Sequence, residues 1–359
     1  MYAAPPVIVH PPIPLPDRWS LGDLERLRLI LGGGSVIDWR RLHFQTKEEV
    51  DHYLRLCLFE PNDPFDRARL QRILDEAVDY LRTTFRYAVA EEVAQPAQVE
   101  DLFLLASGIG DPKLRKIACL VLKVMHVVHH AEARGLLYRA RVSEDEVCQL
   151  VTQRVDHCIA QLRREGFPVV AAAGSVKTRH SLITKLLAKK ETLAAQIYDK
   201  VRYRVETEDR DHVLPVLVRL CDLLIPFNFV VPGQTQNTLI CFRQLLRDWP
   251  SLNPLAPQLQ MALQEEEQEP EQNEFSGDSY KMLNFVAELP VRLPERAVDA
   301  GDGRIAFCMV ELQLVDRETA LANERGENAH LRYKRRQLRR VLRRLSRGLV
   351  VPRRPKPAP

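Results

Sequence analysis

The sequence predicts an α+β fold, in which an all-helical N-terminal domain is followed by a mixed sheet with flanking helices. Between residues 18 and 165, apolar residues recur at spacings of three and four, and no segment reads as a strand. Between residues 166 and 348, strand-like and helical segments alternate, which is typical of a sheet with helices packed against it. A chain of 359 residues is long enough for two such units.

The composition predicts three further segments outside these two domains. Residues 1–17 form a Pro-rich arm and residues 349–359 a basic, Pro-rich tail. Within the second domain, an insert at about 264–276 is rich in glutamate and has no apolar periodicity, so we expect it to be solvated and mobile.

Helix start and stop signals divide the first domain. Ser20 and Asp23 are spaced as an N-cap, and Gly32 to Gly34 favours a helix stop over a phosphate loop, because no strand precedes it. Thr46 and Glu49 form a capping box. After the first helix, the predicted helices are 47–58, 65–92, 97–107, 112–132 and 143–165.

Strands and helices interleave in the second half. Segment 167–173 is either a linker or a first strand. The other predicted strands are 197–205, 227–231, 280–288 extending to 291, and 304–314. The predicted helices are 182–190, 214–224, 239–249 and a long terminal helix at 319–347.

The last predicted strand and helix carry an unusual set of polar residues. Glu311 and Gln313 alternate with apolar residues and so share one face of the strand, and the helix carries His330, Tyr333 and Lys334. This order resembles the closing motif of the RelA/SpoT-type nucleotide pyrophosphokinase domain, a V-E-x-Q strand followed by A-x-H-x-x-Y-K on a helix.

Two earlier pieces resemble the same family and occur in its order. A basic helix precedes a strand in which Asp199 and Arg204 have the family's five-residue offset. The segment 277–285 loosely resembles the family's G-Y-x-S-L-H stretch, with Tyr280 at the tyrosine. The resemblance covers roughly residues 165–348 and implies a nucleotidyltransferase-like domain.

The resemblance implies an activity, a cofactor and a set of site residues. The activity is Mg²⁺-dependent transfer of pyrophosphate from ATP to a 3′-hydroxyl of a guanine nucleotide or of a tRNA end. Glu311 and Asp199 would be the catalytic residues and the metal ligands. The residues implied for the ATP phosphates are Lys177, Arg179, Lys185, Lys189 and Arg204, and those implied for the acceptor are Tyr280, Gln313, His330 and Lys334.

Departures from the family pattern keep two alternatives open. Val315 and Asp316 stand where the family has Arg-Thr, Ser279 replaces a glycine, and Asn284 replaces a histidine. The alternatives are a catalytically inactive, nucleotide-binding regulatory relative and an RNA-binding helical protein. If Glu311 is an unpaired buried carboxylate, glutamine there should not lower stability; if it is paired, Arg204 or Arg202 is the expected partner.

A histidine cluster in the helical half is the other chemically suggestive feature. His126, His129 and His130 can share a helix face near Glu132. The His-Asp pair of the hydrolase domain that often accompanies these synthetases is missing from this half. We therefore expect packed or hydrogen-bonded histidines and no metal.

The terminal helix is strongly basic, whereas the whole chain carries only +4. Its apolar stripe is predicted to dock on the domain; the members are Leu331, Leu338, Val341, Leu342, Leu345 and Leu349. The arginines between Arg335 and Arg347 are available either to RNA phosphates or to the acidic body of the protein.

Cysteine usage and hydropathy predict the compartment. The seven cysteines contain no CxxC pair and are odd in number, which favours reduced thiols. No apolar stretch reaches the roughly 20 residues of a membrane span, and the N-terminus lacks a secretory pattern. We therefore expect a cytoplasmic protein without a membrane partner.

Overall fold

The computed structural model of the protein describes residues 19–32, 42–176, 178–188, 201–240, 252, 280–299, 301–325 and 330–345. The predicted arm, the acidic insert, the helix 239–249 beyond Ile240, and the tail lie outside the described residues.

The first half is helical wherever it is described. Its helices are α1 (Leu21–Gly32), α2 (Lys47–Leu56), α3 (Pro64–Phe85), α4 (Glu91–Ala94), α5 (Glu100–Ser107), α6 (Pro112–Arg139) and α7 (Glu144–Arg164). None of the described residues before Val169 belongs to a strand. The all-helical prediction is therefore confirmed for this part of the chain.

The predicted caps start the helices. The Thr46 hydroxyl accepts from the Glu49 amide at 3.3 Å, and the Ser20 hydroxyl accepts from the Asp23 amide at 3.2 Å. Two boundaries are wrong. Helix α3 ends at Phe85 and not near 92, because Arg86 adopts a left-handed conformation (φ 56°) that stops the helix, and α6 continues to Arg139 instead of ending at 132.

The second half contains a five-stranded mixed sheet, as predicted. Its strands are β1 (Val169–Val176), β2 (Val201–Thr207), β3 (Gln236–Asn237), β4 (Leu283–Arg292) and β5 (Ile305–Asp316), in the order β1-β2-β5-β4-β3. Strands β2 and β5 are parallel, and the other neighbouring pairs are antiparallel. The segment 167–173 is therefore the start of a first strand, and the predicted proximity of 197–205 and 304–314 is confirmed over β2.

In the described part of this half, four α-helices accompany the sheet: α8 (Arg179–Ala188), α9 (Val213–Leu223), α10 (Arg317–Asn323) and α11 (His330–Leu345). Two sequence predictions are wrong here. Segment 227–231 is a 3₁₀ turn with a single bridge from Val230 to Ala287, because the buried Asn228 side chain bonds to Tyr53 and His126 and not to a sheet neighbour. The long terminal helix is interrupted after Asn323, whose side chain is bonded to Lys281.

One face of the sheet forms the larger core. Val310, Leu312 and Leu314 of β5 are fully buried there with Tyr203 and Phe285. Helices α1, α7 and α9 pack on the same core, so the helical and sheet halves share it. A second core lies among α2 to α6 and includes Phe229 and Ile305 from the second half.

Arg154 of α7 joins four elements of this assembly. Its guanidinium donates to Pro290 O at 2.5 Å, to Leu56 O at 2.7 Å and to Leu224 O at 3.5 Å. Burial lowers the pKa of Arg154 to about 10, which still leaves the side chain charged at neutral pH. The three carbonyls belong to the ends of α2 and α9 and to β4, so this one side chain links the helices to the sheet.

We expect Arg154→Met to lower the free energy of unfolding by about 2–3 kcal/mol. Methionine keeps much of the packing but leaves buried carbonyls without a donor, which costs about 1–3 kcal/mol for each unsatisfied group. Urea unfolding of the full chain measures the effect. Arg164→Met, an exposed position on the same helix, is the matched control and should change stability by about 0.5 kcal/mol or less. Equal effects of the two variants would contradict the proposed linking role.

No helix in the described part of the chain combines the length and the apolar composition that a bilayer crossing requires.

Candidate functional site

The face of the sheet opposite the larger core is polar where β2 and β5 run side by side. Alternation along β2 places Arg202, Arg204 and Glu206 on this face, between buried apolar neighbours. The parallel register sets Arg202 beside Glu311 and Arg204 beside Gln313. The predicted site residue Gln313 therefore lies next to the predicted phosphate-binding Arg204, and Glu311 lies next to Arg202.

Glu311 is paired. Arg202 Nε lies 2.9 Å from one Glu311 carboxylate oxygen, and Gln313 Nε2 donates to the other at 2.8 Å. The Glu311 side chain is 6% exposed, whereas Arg202 is 31% exposed and reaches solvent. The expectation of an unpaired buried carboxylate is wrong, and the partner is Arg202, one of the two alternatives that the strand order offered.

Arg204 is also engaged by carboxylates. Its Nε lies 3.1 Å from Glu206, and one terminal nitrogen donates to Glu324 at 3.4 Å. The polar face therefore holds two guanidinium groups and three carboxylates among the described side chains, which leaves it slightly negative. Binding a triphosphate on this face requires further cations.

Tyr280 lies beside these charges, immediately before β4. Burial raises the pKa of Tyr280, and the nearby guanidinium groups of Arg204 and Arg202 oppose that shift. Its backbone carbonyl accepts from the Thr238 hydroxyl at 3.0 Å. Tyr280, which was predicted to bind the acceptor nucleotide, is therefore close to the Arg202–Glu311 pair.

The structure adds residues that the motif comparison missed. Glu206 alternates with Arg204 in the sequence, and that alternation is the signal that could have found it. Arg202, named from the sequence only as a possible partner of Glu311, lies on the same face. Asn284, noted only as a departure from the family, lies across from Gln313, and its buried side-chain oxygen has no hydrogen-bond partner among the described residues. No sequence signal could have identified Glu324 as part of this face, because its position depends on where α10 ends.

Asp316, another departure, has a local structural role. Its side chain accepts from the Thr319 amide at 2.8 Å and so caps α10. At the other end of α10, the Asn323 side chain donates to Lys281 O at 2.7 Å and accepts from Lys281 N at 3.2 Å. These bonds fix α10 against the segment that carries Tyr280.

The remaining predicted site residues are not assembled by the described side chains. Lys177, Lys189 and Asp199 lie outside the described residues. Arg179 and Lys185 are on α8 and His330 is on α11, and only the backbone of these three residues is described. Lys334 is exposed on α11. Helices α8 and α11 pack against each other, so the predicted phosphate-binding helix and the helix of the closing motif are neighbours.

Glu311 fits one part of a Mg²⁺ site. Carboxylates are ligands that Mg²⁺ prefers, and the ion is commonly held by one or two of them together with substrate phosphates. Each Glu311 oxygen accepts a bond from Arg202 or Gln313, and a carboxylate oxygen has a second lone pair. Among the described side chains, no three acidic, histidine or cysteine groups converge to hold a metal. Asp199, which the resemblance implies as the second ligand, lies outside the described residues.

The three histidines of α6 pack where this helix meets the sheet. His126 bonds to the Asn228 amide at 2.9 Å, and His130 lies 2.8 Å from the Glu288 carboxylate. His129 lies between Phe59 and Phe307, and both of its ring nitrogens are buried without a hydrogen-bond partner among the described residues. The prediction of packed or hydrogen-bonded imidazoles is confirmed.

No family model matches the chain, and no curated protein does. Small alarmone synthetase 1 from Bacillus subtilis, bound to its product pppGpp, shares 12% identity over 57% of this chain and 86% of its own, with a TM-score of 0.33.

Two further solved structures match over a comparable span. Small alarmone synthetase 2 from Bacillus subtilis shares 14% identity over 57% of this chain and 96% of its own, with a TM-score of 0.30. A GTP pyrophosphokinase family protein from Streptococcus pneumoniae shares 14% identity over 56% and 87%, with a TM-score of 0.29. The chain is thus similar, over rather more than half its length, to small alarmone synthetases and to a GTP pyrophosphokinase family protein.

Proposed function

We propose that this protein transfers pyrophosphate from ATP to the 3′-hydroxyl of a guanine nucleotide or of a tRNA end, in a Mg²⁺-dependent reaction. The observation that carries the proposal is the polar face of the sheet. It brings Glu311 and Gln313 of β5 together with Arg204 of β2 and with Tyr280, four residues that the sequence motifs had assigned to one site.

The reaction forms a bond between the acceptor 3′-oxygen and the β-phosphorus of ATP. The bond from that phosphorus to the oxygen that bridges the α- and β-phosphates breaks, and AMP leaves. Glu311 accepts the hydroxyl proton, and its contacts with Arg202 and Gln313 hold the carboxylate in one orientation. Tyr280 provides a ring on which a purine can stack.

Charge on the triphosphate is met by groups outside the polar face. Arg204 is already shared between Glu206 and Glu324. Lys177, Arg179, Lys185 and Lys189, in and beside α8, are the cations proposed for the ATP phosphates. Glu311 and Asp199 would hold Mg²⁺, which would supply positive charge to the phosphates.

A second candidate is a nucleotide-binding protein without catalytic activity. The observation that favours it is the pairing of Glu311, because both carboxylate oxygens already accept bonds from protein groups. A structural ion pair of this kind serves the sheet without any proton transfer. The two candidates share the binding face and differ only in the reaction.

Incubation of the full chain with ATP, Mg²⁺ and either GDP, GTP or tRNA, followed by chromatographic measurement of AMP, tests the proposal. We expect AMP release that requires both an acceptor and Mg²⁺, and a new product that carries the added phosphates. ATP binding measured by calorimetry, without AMP release from any acceptor, would favour the second candidate. The absence of both ATP binding and AMP release would contradict both candidates.

A further inference from the structure

The outer face of α11 is both apolar and basic. Leu338 and Leu345 are 54% and 55% exposed, although the sequence predicted that the stripe to which they belong docks on the domain. Among the four members of that stripe whose side chains are described, Val341 alone is buried. The docking prediction is therefore wrong for Leu338 and Leu345.

The position of α11 explains this exposure. Helix α8 packs against α11, and the half-buried Gln337 lies beside Val341 on the helix circumference. At 100° per residue, Leu338 and Leu345 fall 20° apart and just beyond this buried edge. Leu342, itself 41% exposed, falls on the same side.

Cations flank the exposed leucines. Lys334 lies at one edge of the leucine strip, and Arg335, Arg339 and Arg343 follow on the other side; all four are exposed. None of the four makes an ion pair with any residue in the part of the chain that the structure describes. From Leu331 to Pro359 the sequence contains no aspartate or glutamate that would offset them locally. Arg335, Arg339 and Arg343 therefore do not pair with acidic groups of the described body.

We propose that α11 lies on an anionic membrane surface, with Leu338 and Leu345 entering the interface and Arg335, Arg339 and Arg343 contacting lipid phosphates. A helix with a leucine strip flanked by arginines matches a surface that offers both an apolar boundary and negative charge. RNA would satisfy the arginines but would leave the leucines in water. The absence of a spanning helix does not bear on this mode, because an interfacial helix lies in the plane of the membrane.

The full chain is sedimented with phosphatidylcholine vesicles and with vesicles that also contain phosphatidylglycerol. We expect binding only to the anionic vesicles, and weaker binding at high salt because the charges on α11 are exposed. Leu338→Ser with Leu345→Ser, and separately Arg339→Glu with Arg343→Glu, should each reduce the partition coefficient by at least about ten-fold.

Matched controls separate these effects from general surface changes. Leu321→Ser alters a leucine of α10 that is 54% exposed, and Lys116→Glu with Arg134→Glu makes the same charge change on the exposed side of α6. Both controls should keep vesicle binding within about two-fold of the parent chain. Thermal unfolding checks that all variants remain folded, and AMP release, if present, should survive in each because none of these residues is assigned to the site.

Three outcomes would overturn the proposal. Equal sedimentation with both vesicle types, or no loss in the α11 variants, would exclude a specific role for this helix. The full chain could instead bind a single-stranded RNA and no vesicles. If that RNA binding is lost in the double arginine variant but kept in the double leucine variant, α11 would be assigned to RNA. If the chain is a dimer that does not bind vesicles, and the double leucine variant is a monomer, the leucine strip would be assigned to contact with a second copy of the chain.

Discussion

Replacement of Glu311 with glutamine should lower the rate of AMP release by about 10²–10⁴-fold, the usual contribution of general-base assistance. Glutamine keeps the shape of the side chain and can still accept a bond from Gln313, but it cannot take up the acceptor proton. Nucleotide affinity should change less, because the cations proposed for the phosphates are unaltered. Single-turnover AMP release and calorimetric ATP binding measure the two quantities.

The pairing of Glu311 changes what is expected for its stability. The variant loses the ion pair with Arg202, whose side chain reaches solvent, so the free energy of unfolding should fall by about 1 kcal/mol. This replaces the expectation, drawn from the sequence, that stability would not fall. A folded variant with normal AMP release would show that the carboxylate serves only the ion pair.

Glu206→Gln is the matched control for the catalytic prediction. Glu206 lies on the same polar face and forms an ion pair with Arg204 of its own strand. If the catalytic effect belongs to Glu311 itself, Glu206→Gln should change AMP release by less than about ten-fold. Equal losses in the two variants would mean that the rate depends on the overall charge of the face.

Mild acid should destabilise the fold through the histidines of α6. Burial lowers the pKa of His126 to about 3 and lowers that of His129 well below 6.5, with His130 adding a smaller effect in the same direction. The unfolded chain therefore binds protons below about pH 6.5 that the folded chain does not. Stability should be unaffected by these groups above that pH and should decrease as the pH falls towards 4.

The magnitude follows from proton linkage. Each imidazole that stays neutral in the folded state contributes a loss of up to about 1.4 kcal/mol per pH unit, so two contribute about 2–3 kcal/mol between pH 6 and pH 5. Around them, Glu288 faces His130 from β4, and Arg69 of α3 faces His129. Urea unfolding at a series of pH values measures the slope.

His129→Leu tests the origin of this slope. Leucine fits an apolar site between Phe59 and Phe307 and removes two buried ring nitrogens that lack partners. We expect unchanged or higher stability at pH 7.5 and roughly half the loss below pH 6.5. His157→Asn, at an exposed position on α7, is the control and should leave the slope unchanged. A His129→Leu slope equal to that of the parent chain would contradict this account.

The sequence by itself determined the features that depend on local pattern. Alternation along β5 placed Glu311 and Gln313 on one face, and side chains such as Thr46 and Ser20 marked helix starts that the structure confirms. Apolar spacing identified the helices of the first half, and interleaved elements identified a mixed sheet. These signals are local because they arise from backbone geometry and from hydrogen bonds between residues close in the chain.

The tertiary structure alone decided which side chains meet. The ion pair of Arg202 with Glu311 depends on the register of β2 and β5, which lie more than 100 residues apart. The side chain of Asn228 bonds to Tyr53 and His126, and this turned an apolar segment that resembled a strand into a turn. Leu338 and Leu345 of α11 are exposed, whereas Val341 of the same helix is buried. Periodicity identifies an apolar face, but only the packing of distant elements determines whether another surface covers it.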